Sequence, residues 1–396
     1  MIYPSSRMTH VANRKVSRNL AYPDSLKAIL NLKDAAQAFD EISSWPDYKA
    51  TPLHELDGLA TELEINKIWY KDEADRFGLG SFKALGGAYA VFLHLKKVIE
   101  SESGKVATVT DLLEGSYEHL TSTVIVSCAT DGNHGRSVAW GAQLFGCQCV
   151  VYVHSQVSTG RQSAIESFGA KVISVAGNYD DSVRQAAVDA KRYDRIIVSD
   201  TSYEGYTEIP RFVTSGYTVM LKEIVDQLEG EIPSHIFVQG GVGGLACSVS
   251  AYFWQIWGNA RPRLIIVEPE AANCLQQSAR AGLPVAVKGD LKTLMAGLAC
   301  GEVSLLAWQI LSISCDDFVT VDESSVAPCM KLLANGDPKI IAGESAVAGI
   351  AALIGATQSR STFSKLDLGP ESTVLVIGTE GATDPDLYAE LIGAES

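Results

Sequence analysis

From Thr123 onward the chain alternates short apolar runs with stretches of helical length, and this alternation limits the possible folds more than any other feature. Segments 123–127, 149–153, 171–175 and 195–198 read as strands, with helices over 136–145, 160–168 and 180–191. A second series places helices at 213–228, 245–257, 271–281 and 344–356, among strands at 235–239, 263–268, 318–321 and 373–378. Strands separated by helices of about 10–15 residues imply βαβ crossovers and parallel sheets. Runs such as VIV, VVYV and IIV lack polar alternation, as expected of strands covered on both faces. Earlier, 33–42 reads as a helix, 51–56 as a loop because of Pro52, 65–71 as a strand, and 81–98 as an apolar helix. No period of about 20–50 residues recurs, which excludes a solenoid. The expected class is α/β, with two open parallel-sheet α/β domains and a ligand in the cleft between them. The larger domain takes 1–100 and 205–396, and the smaller 101–204. Ligands of such sheets bind beyond the carboxyl ends of strands.

Composition removes several classes of function. Acidic side chains outnumber basic ones 47 to 32, so nucleic acid is not an expected partner, because phosphate backbones need a basic face. The longest apolar run, 346–356, has eleven residues, well short of the about 20 needed to span a bilayer. The N-terminal stretch carries Arg7, Arg14, Lys15 and Arg18 and lacks the apolar core of a signal peptide. A cytoplasmic protein with no membrane partner is expected. Eight cysteines in 396 residues do not make a disulfide framework. Cys147 and Cys149 lie in the strand-like run CQCVVYV and read as buried thiols. The seven histidines form no HExxH pattern, so no metal site is expected. Cys274 and Cys300 are the pair for which a bridge is conceivable, if their segments touch.

Two segments carry chemistry. HIFVQGGVGGLACS runs from a strand through Gly240, Gly241, Val242, Gly243 and Gly244 into a helix. Such a loop offers backbone amides and a helix N-terminus to a phosphate. The same residues satisfy GxGxxA, with Glu268 placed where a ribose-binding acid belongs, so a nicotinamide dinucleotide remains open at this point. The other segment is Ser81-Phe82-Lys83, after a Gly-Leu-Gly stretch, with Ser81 as helix cap. A lysine in apolar surroundings at a positive helix end loses its proton more readily, which suits Schiff-base chemistry. A snorkelling surface lysine is the plainer reading of that residue alone.

Together these motifs resemble the pyridoxal-phosphate enzymes of the tryptophan-synthase-β type. Ser81-Phe82-Lys83 resembles the family's lysine motif, and Gly132-Asn133-His134-Gly135 its asparagine turn. Gly240–Gly244 is similar to its phosphate loop, and Gly378-Thr379-Glu380-Gly381 to the late turn beside the pyridine nitrogen. The runs DEADRFGLGSFKALGGAYA, ATDGNHGRSVAWGA, DTSYEGYTEIP, 294–302 and GESAV resemble the branch that acts on 2,3-diaminopropionate. The resemblance implies pyridoxal 5'-phosphate in the cleft, held by Lys83, Phe82, Asn133, Gly240, Gly241, Val242, Gly243, Gly244 and Thr379. It implies a homodimer with a small amino-acid substrate. A dehydrogenase would leave the lysine and asparagine motifs without work.

The implied reaction is α,β-elimination of D- and L-2,3-diaminopropionate to pyruvate and two ammonia. Its catalytic residues would be Lys83, Asp131 and Asp200, where the dehydratases usually place a small residue at the position of Asp131. Asp131 would take the Cα proton of the D isomer, and Asp200, closing the strand RIIVSD, that of the L isomer. Thr130, Asp131, His134, Asp200, Glu344 and Ser345 are the expected substrate contacts, with backbone amides near Thr130 receiving the carboxylate. The alternative is a serine or threonine dehydratase of the same fold, told apart by its hydroxyl leaving group.

Overall fold

The computed structural model describes residues 7–393 apart from Asp131, Gln156 and Asn178. Its strands are β1 (Met8–Ala12), β2 (Leu53–Glu55), β3 (Lys67–Asp72), β4 (Ile125–Ala129), β5 (Gln148–His154), β6 (Lys171–Val175), β7 (Ile196–Ile197), β8 (His235–Gln239), β9 (Arg263–Pro269), β10 (Asp317–Val321) and β11 (Thr373–Gly378). The chain divides into two compact units. One comprises Met1–Lys33, Ala50–Ser81 and Met220–Ser396, and the other Asp34–Lys49 and Phe82–Val219.

The first unit holds a seven-stranded sheet in the order β1-β10-β9-β8-β11-β3-β2. Its five central strands are parallel, and β1 and β2 pair antiparallel at the two edges. β2 falls where a loop was expected from Pro52. Pro52 stands just before the strand, where its missing N–H removes no ladder bond. Instead, its carbonyl accepts from Asp72 N–H at 2.9 Å. β8 is buried at all five positions, under a core that includes Ile68, Tyr70, Phe237, Ile350, Leu353 and Val376. The helix expected over 344–356 begins at Ala348, which leaves Glu344 and Ser345 in the turn before it.

The second unit holds the four-stranded, wholly parallel sheet β6-β5-β4-β7. Its extent differs from the expected 101–204, and packing explains the difference. Helix Lys83–Ser103 lies against helix Asn133–Leu144 through residues with almost no side chain. A Cβ on Gly141 would come 2.6 Å from Ala88 Cα, and one on Gly87 2.6 Å from Ser137 Oγ. Ala88 N–H donates to that same hydroxyl at 3.0 Å. Gly216 meets the carbonyl of Leu85 in the same manner, 2.2 Å from an added Cβ, which brings residues 208–219 into the unit. Trp45 packs against Phe92, Trp140 and Phe145, with ring centroids 6.1, 5.8 and 5.3 Å away. That aromatic cluster draws in 34–49, far away in sequence.

Among the described residues no helix is long and apolar enough to cross a membrane. All eight cysteines are free thiols, Cys274 and Cys300 included.

Candidate active site

In the second unit, the carboxyl ends of β4 and β7 and the start of helix Lys83–Ser103 carry Thr130, His134, Asp200 and Lys83. Lys83 is the first residue of that helix and makes an ion pair with Asp200. Its Nζ lies 5.2 Å from the ring centre of Phe82 and 5.8 Å from that of Tyr217. The two rings meet at 4.7 Å. Burial alone would raise the Asp200 carboxyl, but the adjacent Lys83 ammonium holds it well below the usual carboxylate range. Asp200 therefore remains ionised, two residues beyond Val198, whose N–H makes the last sheet bond of β7.

His134 is buried, and burial lowers its pKa. Its Nε2 lies 2.8 Å from the carbonyl of Val198. A carbonyl only accepts, so Nε2 carries the proton of the neutral ring and Nδ1 does not. Thr130 follows β4 directly. Its hydroxyl accepts from Gly132 N–H at 3.1 Å and Gly135 N–H at 3.2 Å. These bonds build the turn into helix Asn133–Leu144 and commit two of the amides expected to receive a carboxylate. Asp131 lies outside the described residues. Ser81 is not the cap of the lysine helix. Phe82 holds that place, and Ser81 instead bridges to Glu380 within the first unit.

The first unit holds the glycine loop. Gly240–Gly243 links β8 to helix Gly244–Trp257, with φ +59° at Gly241 and +97° at Gly243. Gly240 N–H donates to Val267 O at 2.8 Å and Gly243 N–H to Gly240 O at 3.1 Å. A Cβ on Gly243 would press on Ala307, Leu311 and Leu275 at 3.1–3.3 Å. Gly243 is thus held by packing beneath the loop, whereas the Cβ direction of Gly241 has nothing nearer than 3.7 Å.

Glu268 overturns the dinucleotide reading. Its carboxylate faces inward, fully buried, and accepts from Leu275 N–H and Gln276 N–H at 2.8 Å each. A Cβ on Gly240 would sit 2.6 Å from its Cγ. Desolvation raises it to about 8. A carboxyl group spent on the amide ends of helix Cys274–Ala281 is not offered to a ribose. Cys274 Sγ donates to Gly241 O at 3.4 Å, and Cys300 Sγ flanks the same glycine, each as a free thiol.

A model of the family described as "Pyridoxal-phosphate dependent enzyme" matches residues 45–380. The chain belongs to the pyridoxal-phosphate-dependent enzymes. It is 39% identical to diaminopropionate ammonia-lyase of Escherichia coli (strain K12), with 87% of each chain covered. A threonine dehydratase of Solanum lycopersicum is 28% identical over 76% of this chain and 44% of its own length. Among solved structures, Escherichia coli diaminopropionate ammonia-lyase with an aminoacrylate-PLP azomethine intermediate superimposes with a TM-score of 0.87. That match is 35% identical and covers 98% of both chains.

The residues present fit the family's cofactor. Among the described residues the amides of Gly241 and Val242 make no bond within the chain, at a helix start where a phosphate is favoured. Lys83 supplies a primary amine beside two aromatic faces. Thr379 is buried immediately after β11, where Gly378 leaves room for the ring of Tyr70. Glu344 and Ser345 are also buried in the first unit. Ser345 N–H donates to Glu380 at 3.0 Å, and its hydroxyl accepts from Gly297 N–H at 3.0 Å. Sequence reasoning missed Tyr217 and Tyr206. Tyr217 gave no signal, being one aromatic in a helix, whereas Tyr206 stands in the run that already held Asp200.

Proposed function

We propose that this chain is a pyridoxal-phosphate-dependent ammonia-lyase that converts D- and L-2,3-diaminopropionate and water to pyruvate and two ammonia. The observation that carries the reading is the ionised Asp200 paired with Lys83, in a chain 39% identical to an enzyme named for that substrate. When bound, pyridoxal phosphate supplies an electron sink for the charge left at Cα. Lys83 would hold the cofactor, Gly241, Val242 and the start of helix Gly244–Trp257 would hold its phosphate, and Asn133 and Thr379 would hold its ring. Phe82 and Tyr217 line the lysine with apolar surface.

Asp200 takes the Cα proton of the L isomer. Asp131, next to Gly132 in the sequence, takes that of the D isomer. Two anionic side chains also favour a substrate whose leaving group is an ammonium over one with a neutral hydroxyl. His134, neutral, offers Nδ1 as an acceptor to the substrate, and Thr130 shapes the turn beneath it. Glu344 and Ser345 are the further substrate contacts of this reading. The enzyme works as a homodimer in the cytoplasm.

The test measures pyruvate release from 2,3-diaminopropionate, serine and threonine side by side. Diaminopropionate should turn over fastest by a wide margin. Faster serine turnover would overturn the reading in favour of a dehydratase.

A further inference from the structure

The strand end that carries Asp200 is tied down by side chains, because the sheet stops short of it. β7 contains two residues and lies at the edge of its sheet. Its last backbone bond runs from Val198 N–H to Ser127 O at 2.8 Å. Peptide groups past the end of an edge strand must find other partners or remain loose. Here two rings provide them. The Tyr206 hydroxyl donates to Ile197 O at 2.8 Å and accepts from Ser199 N–H at 3.0 Å. His134 Nε2–H donates to Val198 O at 2.8 Å. Three consecutive residues before Asp200 are therefore anchored.

Tyr206 is itself braced. It exchanges backbone bonds of 2.9 and 3.2 Å with Tyr203 across a turn in which Gly205 has φ +81°. The two tyrosine rings stack at 4.9 Å with 17° between planes. Tyr203 is 54% exposed, so its value lies in holding the ring behind it. Only a hydroxyl both donates and accepts from one atom at that place. A phenylalanine would keep the stack and lose both anchors.

We propose that Tyr206 is the positioning residue of Asp200, setting where that carboxylate meets Lys83 and the substrate's Cα proton. This rests on the reading of Asp200 as the proton acceptor for the L isomer. Asp200 is joined to Lys83 by a direct ion pair and reaches it from a backbone with no sheet partner, so the two anchors at 197 and 199 decide its register. Misplacing a reacting group by about 1 Å costs on the order of 10²-fold.

The experiment compares the holoenzyme carrying Tyr206→Phe with wild type and with Asp200→Asn on each isomer of 2,3-diaminopropionate. For Tyr206→Phe, kcat on the L isomer should fall about 10–100-fold, with KM within about threefold and the D isomer close to wild type. Retained D-isomer turnover and an unchanged cofactor absorbance band show that the variant is folded and loaded. An unchanged ratio of L to D turnover, or equal loss on both isomers, would overturn the positioning role. If Asp200→Asn loses the L isomer while Tyr206→Phe does not, only the positioning inference fails. If Asp200→Asn keeps the L isomer, the role of Asp200 fails and takes the inference with it.

Discussion

Lys71 and Lys83 are both withdrawn lysines in contact with a carboxylate, yet their surroundings suit opposite tasks. Lys71 lies in the first unit with its side chain wholly buried. Its three protons go to Glu223 at 2.7 Å, Thr51 O at 2.8 Å and Gln227 at 3.0 Å. Arg76 adds bonds of 2.7–2.8 Å to Glu73 and Glu223 and one of 3.0 Å to the Thr51 hydroxyl. Two cations and two anions thus close on each other. Burial lowers Lys71, while Arg76 holds Glu223 below its usual range against its own desolvation. Lys83, in the second unit, keeps 20% of its side chain exposed and lies among Asp200, Phe82 and Tyr217. A lysine whose every proton has a fixed acceptor is structural. One set beside a carboxylate and two rings, with 20% of its side chain exposed, can exchange its partner for a carbonyl compound.

The sharpest break in this comparison is to remove each lysine in turn. Lys83→Ala should cost at least about 10³-fold in pyruvate release, with the cofactor's absorbance band lost and the thermal midpoint nearly unchanged. Near-normal turnover would remove Lys83 from the chemistry. Next in size, Asp200→Asn should lower L-isomer turnover by about 10²–10⁴-fold and spare the D isomer, and Asp131→Asn should do the reverse. Equal losses on both isomers would point to a shared task, such as holding the β-ammonium.

Lys71→Met should do the opposite of Lys83→Ala. Breaking a buried pair leaves charge without compensation, at a cost of about 3–5 kcal/mol, while the molecules that remain folded keep their turnover. Denaturant melts alongside activity per folded molecule would check this. A stability change below about 1 kcal/mol would mean that the cluster behaves like an exposed pair.

The last prediction concerns Glu268, whose buried carboxyl meets two backbone amides where Glu223 meets two cations. It keeps its proton up to about 8 in the fold, against an ordinary 4.5. Between those values the folded protein holds a proton that the unfolded chain lacks. Stability from this group is therefore full below about 4.5 and falls as pH rises to about 8, by up to about 1.4 kcal/mol per pH unit. Glu268→Gln should flatten that slope. Thermal midpoints at steps from pH 5 to 8 would show it, and an unaltered slope would place the titration on another group.

Much of this protein was legible in its linear order. Period and length mark the parallel strands, because a strand covered on both faces must be continuously apolar. Lys83 at a helix start and Gly240–Gly244 between strand and helix follow from local rules, since glycine and capping preferences act over a few residues. The tertiary structure decided what depends on distant partners. The unit that owns the lysine helix was set by Gly87, Gly141 and Gly216, whose missing side chains let backbones approach residues 137, 88 and 85. β1 and β2 were unreadable because an edge strand is defined by the neighbour it joins. The same holds for chemistry. Glu268 matches a ribose acid by spacing, yet the fold turns it inward onto two amides. Lys71 and Lys83 differ little as letters in a sequence. What separates them is which acceptors surround each ammonium, and residues as far off as 200, 223 and 227 supply those only after folding.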